Sequence, residues 1–287
     1  MVTRIGHIAL NVADLDAAVS FHQDVLGFVE TERRDGASYL TCNERHHELL
    51  LVGDAKHRGY AHIGLEVPDA SVLESASERV TAAGGKVLGA VSDGEPGIDR
   101  ALMVKSPAGH VYKLFCGMET VAPLPPGDRP VKFEHVSTKV AKMRKEERFL
   151  TEGLGLAFSD RMGFLASWWH CDDDHHGIAL TRAPKSELSH YALRWSEFDA
   201  LGRVADRLKQ RYDQRCIWGP SRHGPGNNQF LYFHDTDGAM VECCTDMALM
   251  SSGYEPKNWS MKPSTINQWG SPPPPRFLLT GFPIAKA

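Results

Sequence analysis

AHIGLEV (residues 61–67) is written a second time, 128 positions later, as SHYALRW (189–195): small, His, apolar, small, Leu, charged, apolar. The same offset, within one residue, relates three further pairs. GHIALNV (6–12) is answered by EHVSTKV (134–140), and TCNERHHELLL (41–51) by HCDDDHHGIAL (170–180). ALMVKSPAGHVYKLF (101–115) is answered by FLYFHDTDGAMVECC (230–244). Chance rarely holds four landmarks to one spacing, so the chain reads as two copies of a module of about 120 residues.

Each copy follows one local grammar. HIALNV alternates and reads as a strand. In DLDAAVSFHQDVLGF, Leu15, Val19 and Val25/Leu26 recur at helical spacing behind acidic starters. A meander of short strands follows, including ASYLTCN and ELLLV; then AHIGLEV leads into DASVLESASERVTAAGG, an amphipathic helix closed by Gly84-Gly85. VAKMRKEERFLTEGLGLAF and SEFDALGRVADRLKQR take the two helix positions of the second copy. Ser106–Gly109 and Asp235–Gly238 fall where tight hairpin turns belong. The expected fold is α+β, two tandem modules, each of paired β-α-β-β-β units. The expected boundaries are 1–120 and 131–250, joined by the proline-rich VAPLPPGDRP (121–130). The tail 251–287, with SPPPP at 271–275, is expected to wrap an existing surface.

Bulk properties set the function classes. Apolar content of 42% and charged content of 24% are those of a soluble globular protein. A net charge of −4 without a basic block argues against a nucleic-acid partner. No stretch approaches the roughly 18–20 apolar residues of a membrane span, and no secretion signal is read at the start. Six cysteines without a CxxC pair suit reduced thiols and a cytoplasmic setting.

The chemistry is concentrated in the second copy. His135 and His190 begin paired strands, and Glu242 lies in the closing strand GAMVECC. Two imidazoles and one carboxylate suit a facial triad for non-haem Fe(II), with Mn(II) as the alternative. The first-copy equivalents are His7, His62 and Lys113; an ammonium repels a divalent cation, so that copy is expected to have lost its metal. His223 corresponds to Gly94 and Tyr232 to Met103, whereas the His-His pair survives in both copies as His46-His47 and His175-His176. A lone histidine at a strand end is more often structural, and His7 and His62 are read that way. Strand alternation sends only one of Trp168 and Trp169 inward, and Cys243 and Cys244 are expected to pack. His234 and Asp237 are expected at the surface beside the hairpin turn.

PSRHGPGNNQFLYFHDTDGAMVE (220–242) resembles the signature of the two-domain extradiol ring-cleaving dioxygenases of the vicinal oxygen chelate superfamily. Its matching residues are His223, Leu231-Tyr232, Asp235, Gly238 and Glu242, with Thr236 where that family usually has proline. The RHG and FLY phrasing leans towards catechol and homoprotocatechuate 2,3-dioxygenases, and the His-His pair towards the dihydroxybiphenyl branch. The resemblance implies metal ligation by His135, His190 and Glu242. It implies an acid-base histidine in a His-x-x-Ala frame, which is His176 with His175 as the fallback. It also implies hydrogen bonds from His223 and Tyr232 to a catecholic substrate, which reacts with O2 to give a ring-opened semialdehyde or keto acid. Homo-oligomeric assembly is implied as well. The rival readings are a metal-dependent isomerase or lyase of the same superfamily, and a non-enzymatic binder of an aromatic ligand.

Overall fold

A computed structural model describes residues 1–286 except Gly94 and Ser252, and except the side chain of Leu278. The first module runs β1 (Arg4–Val12), α1 (Leu15–Leu26), β2 (Val29–Arg34), β3 (Ala37–Thr41), β4 (Leu49–Gly53). It continues with β5 (Gly59–Glu66), α2 (Ala70–Ala82), β6 (Lys86–Val87), β7 (Ser92–Asp93), β8 (Ile98–Lys105) and β9 (Val111–Met118). The second runs β10 (Lys132–Val140), α3 (Met143–Arg148) with a π-helical turn over Phe149–Gly153, β11 (Ala157–Met162), β12 (Ala166–His170), β13 (Ile178–Arg182). Then come β14 (Glu187–Arg194), α4 (Asp199–Tyr212), β15 (Trp218–Arg222), β16 (Gln229–His234) and β17 (Met240–Thr245). The tail adds β18 (Lys257–Trp259), α5 (Pro263–Ile266), α6 (Pro275–Leu279) and β19 (Phe282–Pro283). The repeat is thus an α+β repeat of β-α-β-β-β units, with β7 as a short addition.

Each module forms one mixed sheet. The first is ordered β2-β3-β4-β1-β5-β9-β8-β6, the second β15-β16-β17-β14-β10-β13-β12-β11-β18. At each centre two antiparallel strands, β1 with β5 and β10 with β14, are flanked by parallel partners. This register aims the chemistry. His135 pairs with Ala192 and Ser137 with His190, so the two imidazoles lie diagonally on one face. The parallel strand β17 sets Glu242 beside Ala192 on that face. In the first module His7 pairs with Gly64, Ala9 with His62, and Lys113 with Gly64.

The helices are closed by local chemistry. Asp14 accepts from the Ala17 amide, and Asp69 accepts from Ser71 and Val72, which satisfies amides that the first turn leaves open. Leu201, Val204 and Leu208 give α4 an apolar stripe that is fully buried, worth about 1.5–3 kcal/mol per side chain. α1 packs against α4, where the Phe21 and Tyr212 rings lie 4.9 Å apart.

One contiguous apolar core runs through both modules. Buried polar ties cross the junction: His22 Nε2 lies 2.9 Å from Tyr191 Oη, and His110 Nε2 lies 3.0 Å from the Lys139 carbonyl. Asp237, expected at the surface, is instead buried there. Its Oδ1 accepts from the Ala13 amide at 2.8 Å and pairs with Arg58 Nε at 3.0 Å, because the β16–β17 turn abuts the first module. His234 is half-buried. In the connecting segment, Asp128 receives Arg203 and Arg207 of α4. The tail wraps the second module: β18 pairs with β11, and β19 with β14.

Candidate metal centre and its cavity

β10, β14 and β17 bring His135, His190 and Glu242 together, as their strand positions predict. His135 Nε2 is 3.3 Å from His190 Nε2 and 3.2 Å from Glu242 Oε2, and His190 Nε2 is 3.1 Å from the same oxygen. All three residues are buried. Burial pulls His135 below its ordinary pKa and keeps its imidazole neutral. Burial alone would raise Glu242, but the adjacent His135 and His190 hold it well below the carboxylate range. Among the described residues no Lys or Arg pairs with Glu242. An anion enclosed without a partner cation costs several kcal/mol, and a divalent cation touching all three donors removes that cost. The donor set therefore fits a metal ion.

The carboxylate is fixed from behind. Tyr232 Oη donates to Glu242 Oε2 at 2.6 Å, and Asn228 Nδ2 donates to Oε1 at 2.8 Å. Burial pushes the Tyr232 phenol well above its ordinary value, so it keeps its proton. His223 Nε2 lies 3.0 Å from Tyr232 Oη, and its Nδ1 donates to the Ile266 carbonyl at 2.6 Å. Burial lowers His223 to about 4. The neutral ring, with its proton on Nδ1, then offers a lone pair at Nε2, so donation to a substrate requires protonation first.

The His-His pair divides its labour. His176 lines the cavity, its ring centroid 4.4 Å from that of His135. His175 turns the other way and sets Nε2 3.0 Å from Asp160 Oδ2. The two rings meet through their Nδ1 atoms at 3.0 Å. Asp160 also accepts from Tyr254 Oη, the Lys257 amide and Trp259 Nε1, at 2.9, 2.7 and 2.6 Å. Burial alone would raise its pKa, but these donors hold it below the ordinary range, so it is ionised. The ionised carboxylate accepts from His175 Nε2; with the proton shared by the ring pair on His176 Nδ1, His175 Nδ1 accepts and His176 Nε2 carries a free lone pair. Burial holds His176 well below pKa 6.5, which keeps that lone pair available.

A cavity of about 410 Å3 opens over the triad. Trp168, Trp218, Met162, Ile266 and Phe277 give it apolar walls. Trp169, next to Trp168, is buried with its indole on Ser167 Oγ, as alternation requires. Cys243 and Cys244 are packed in the core region. Asn228, Asp160 and Ile266 escaped the sequence reading. The run GPGNNQ was the only local hint of Asn228, and nothing local marks Asp160.

In the first module Lys113 occupies the Glu242 position, and Met103 pairs with it as Tyr232 pairs with Glu242. Gly94, the counterpart of His223, lies outside the described residues. A carboxylate that sequence reasoning missed, Glu95, reaches the histidines from the segment before β8 and pairs with Lys113 Nζ at 2.6 Å.

Known proteins are similar to this chain over most of their length. Metapyrocatechase of Pseudomonas sp. (strain CF600) is 24% identical over 91% of this chain and 92% of its own. The manganese-dependent 2,3-dihydroxybiphenyl 1,2-dioxygenase of Geobacillus genomosp. 3 is 25% identical over 90% of each chain. The Mn(II)-bound glyoxalase from Novosphingobium aromaticivorans superposes with a TM-score of 0.89 at 27% identity, covering 96% of this chain and 93% of its own. The family model described as "Glyoxalase/Bleomycin resistance protein/Dioxygenase superfamily" matches at residues 4–113 and again at 132–243, one match for each copy of the repeat. Duplicated fold and double match agree: this chain belongs to the Glyoxalase/Bleomycin resistance protein/Dioxygenase superfamily.

Proposed function

We propose that this protein is a metal-dependent extradiol dioxygenase that opens a catechol-type ring beside its vicinal hydroxyls with O2. The observation that carries it is the meeting of three elements at one point. A buried two-histidine, one-carboxylate triad faces an apolar cavity of aromatic size, and the His176 lone pair opens on that same cavity. The names of the metapyrocatechase and dihydroxybiphenyl dioxygenase relatives support the reaction class.

In this reading His135, His190 and Glu242 hold Fe(II), with Mn(II) as the alternative that the Geobacillus relative's name favours. When bound there, the ion would supply Lewis acidity towards a catecholate and redox access to O2. His176 Nε2 takes a proton from a catechol hydroxyl, since its lone pair faces the cavity, and later returns it. Asp160 and His175 are positioning residues that keep His176 in the accepting tautomer. Tyr232 retains its proton and steadies Glu242 by donation, a role suited to charge that develops nearby. His223 receives a proton at Nε2 before it donates. Trp168 and Trp218 flank the ring, while Ile266 and Phe277 of the tail exclude water. The product is a ring-opened semialdehyde or keto acid. We read the protein further as a cytoplasmic homo-oligomer; all six cysteines are free, in keeping with a reducing compartment. No helix among the described residues is long and apolar enough to cross a membrane.

Anaerobic reconstitution with Fe(II) or Mn(II), followed by a panel of substituted catechols in air, tests the proposal. The expected result is stoichiometric oxygen uptake with a yellow ring-fission product. Catechol binding without oxygen uptake under either metal overturns it in favour of a binder. Oxygen-independent turnover overturns it in favour of an isomerase or lyase.

A further inference from the structure

The first module keeps a convergent cluster of its own. His7, His47 and His62 stand where the second module has His135, His176 and His190, and all three are buried. His7 Nε2 and His62 Nε2 are 3.0 Å apart, against 3.3 Å for the catalytic pair. Glu95 Oε1 enters among them, 3.3 Å from His7 Nε2, 3.6 Å from His47 Nε2 and 3.8 Å from His62 Nε2. Lys113 Nζ holds only the outer oxygen, Oε2, at 2.6 Å.

The His47 ring is aimed by the same kind of relay as His176. Its Nδ1 meets His46 Nδ1 at 3.0 Å, and His46 Nε2 reaches Glu32 Oε2 at 3.3 Å. With the proton of the pair on His47 Nδ1, the His47 Nε2 lone pair faces Glu95. Both His47 Nε2 and Glu95 Oε1 are buried without a hydrogen-bond partner. Lys113 offsets the Glu95 charge from its outer side only, and a cation among Oε1 and the neighbouring Nε2 atoms would satisfy the inner side.

We propose that the first module binds a second divalent cation through Nε2 of His7 and His62 and Oε1 of Glu95, with His47 beside them as His176 stands beside the second triad. The anionic ligand has moved from the strand, where Lys113 replaced it, to the segment before β8. Two imidazoles and one carboxylate form a three-donor set suited to Zn(II) and its borderline neighbours, with water as a fourth ligand. The site is structural, because Phe115 packs on the His7 ring at 5.2 Å and β5 crosses close behind it. A Cβ at Gly64 would lie 2.2 Å from that ring, so only glycine allows the approach. The Lys113 ammonium, on the outer oxygen, makes this centre the weaker of the two, and it fills second.

This inference does not depend on the dioxygenase reading. Full-length protein is stripped with a chelator, titrated with Zn(II) in a calorimeter, and analysed for metal after gel filtration. Two zinc ions per chain are expected, one after Glu95→Gln or His62→Gln, one after Glu242→Gln, and none when both centres are altered. Lys113→Met is expected to tighten the second event at least tenfold. A single zinc per chain that Glu242→Gln abolishes overturns the proposal, as does a second zinc that survives both Glu95→Gln and His62→Gln. Should the first-module variants not fold, Co(II) added to the Glu242→Gln protein decides. Intense visible bands of a four-coordinate ion support the site, and no bound cobalt overturns it.

Discussion

Asp160→Asn puts the relay behind His176 to its sharpest test. Asp160 Oδ1 receives the Tyr254 hydroxyl and the Lys257 amide, while Oδ2 receives His175 Nε2 and the Trp259 indole. An asparagine that keeps its oxygen on the first pair must turn its NH2 towards the second. The indole is a donor only, so that contact fails, and a buried unsatisfied donor costs about 1–3 kcal/mol, a loss of a few degrees in melting temperature. His175 can adapt, but only by accepting at Nε2. Its proton then sits on Nδ1 and points at His176 Nδ1, which must become the acceptor. His176 in turn carries its proton on Nε2, aimed at the substrate, and the base is lost. We expect kcat to fall by about 10²–10⁴, the usual worth of a positioned base, with metal content and catechol affinity little changed. Anaerobic catechol titration, metal analysis and oxygen-uptake kinetics measure the three quantities separately. Tyr254→Phe is the control: it removes a donor from Asp160 without touching the histidines, and its effect on kcat is expected to stay below about threefold. A folded, metal-replete Asp160→Asn enzyme with parental kcat refutes the tautomer reasoning.

Three other outcomes are expected. His176→Asn lowers kcat by about 10²–10⁴ at unchanged metal content, and metal loss in that variant would instead make His176 a ligand. Glu242→Gln weakens metal binding ~100-fold, because it removes the one carboxylate of the triad; equilibrium dialysis against Fe(II) or Mn(II) reads it. Burial lowers both His22 and His110 to about 4 at the module junction, so unfolding takes up protons below pH 6.5. Stability from each is intact above pH 6.5 and falls by about 2 kcal/mol by pH 5. Denaturant titrations should therefore show the gap between parent and His110→Gln narrowing as the pH drops from 7 to 5, and a pH-independent gap defeats the assignment.

The sequence carried the architecture because duplication repeats its landmarks at one interval, and strand alternation then fixes which side chains share a face. His135, His190, Glu242 and Tyr232 were legible for that reason: each sits on a strand whose twin can be found. The His-x-x-Ala frame of the resemblance favours His176 and keeps His175 as the fallback; in the structure His176 lines the cavity and His175 turns to Asp160. What escaped has another origin. Asp160 lies on β11, Glu95 on a segment before β8, and Ile266 in a tail with no counterpart in the repeat. Each reaches its partner by long-range packing that no local period encodes. The Lys113 register predicts a lost metal in the first copy, and register is blind to a carboxylate such as Glu95 that arrives from a loop. Asp237 misled for a related reason: a turn looks exposed until another module covers it.

The junction explains why a module of subordinate chemistry is kept. β14 alternates, so His190 faces the triad while its neighbour Tyr191 faces the first module. Tyr191 Oη is bound by His22 Nε2 at 2.9 Å and lies 3.4 Å from Asp235 Oδ2, and Asp235 Oδ1 accepts from the Asp237 and Ala239 amides of the turn ahead of β17. β17 carries Glu242. The first module thus grips the strand bearing one proposed ligand and the turn that positions another, through buried bonds that cost about 1–3 kcal/mol each when a partner is removed. Ligand atoms set about 3 Å apart tolerate little drift before a shared cation is lost. On this argument the second module cut free of the first would retain its residues and lose its spacing.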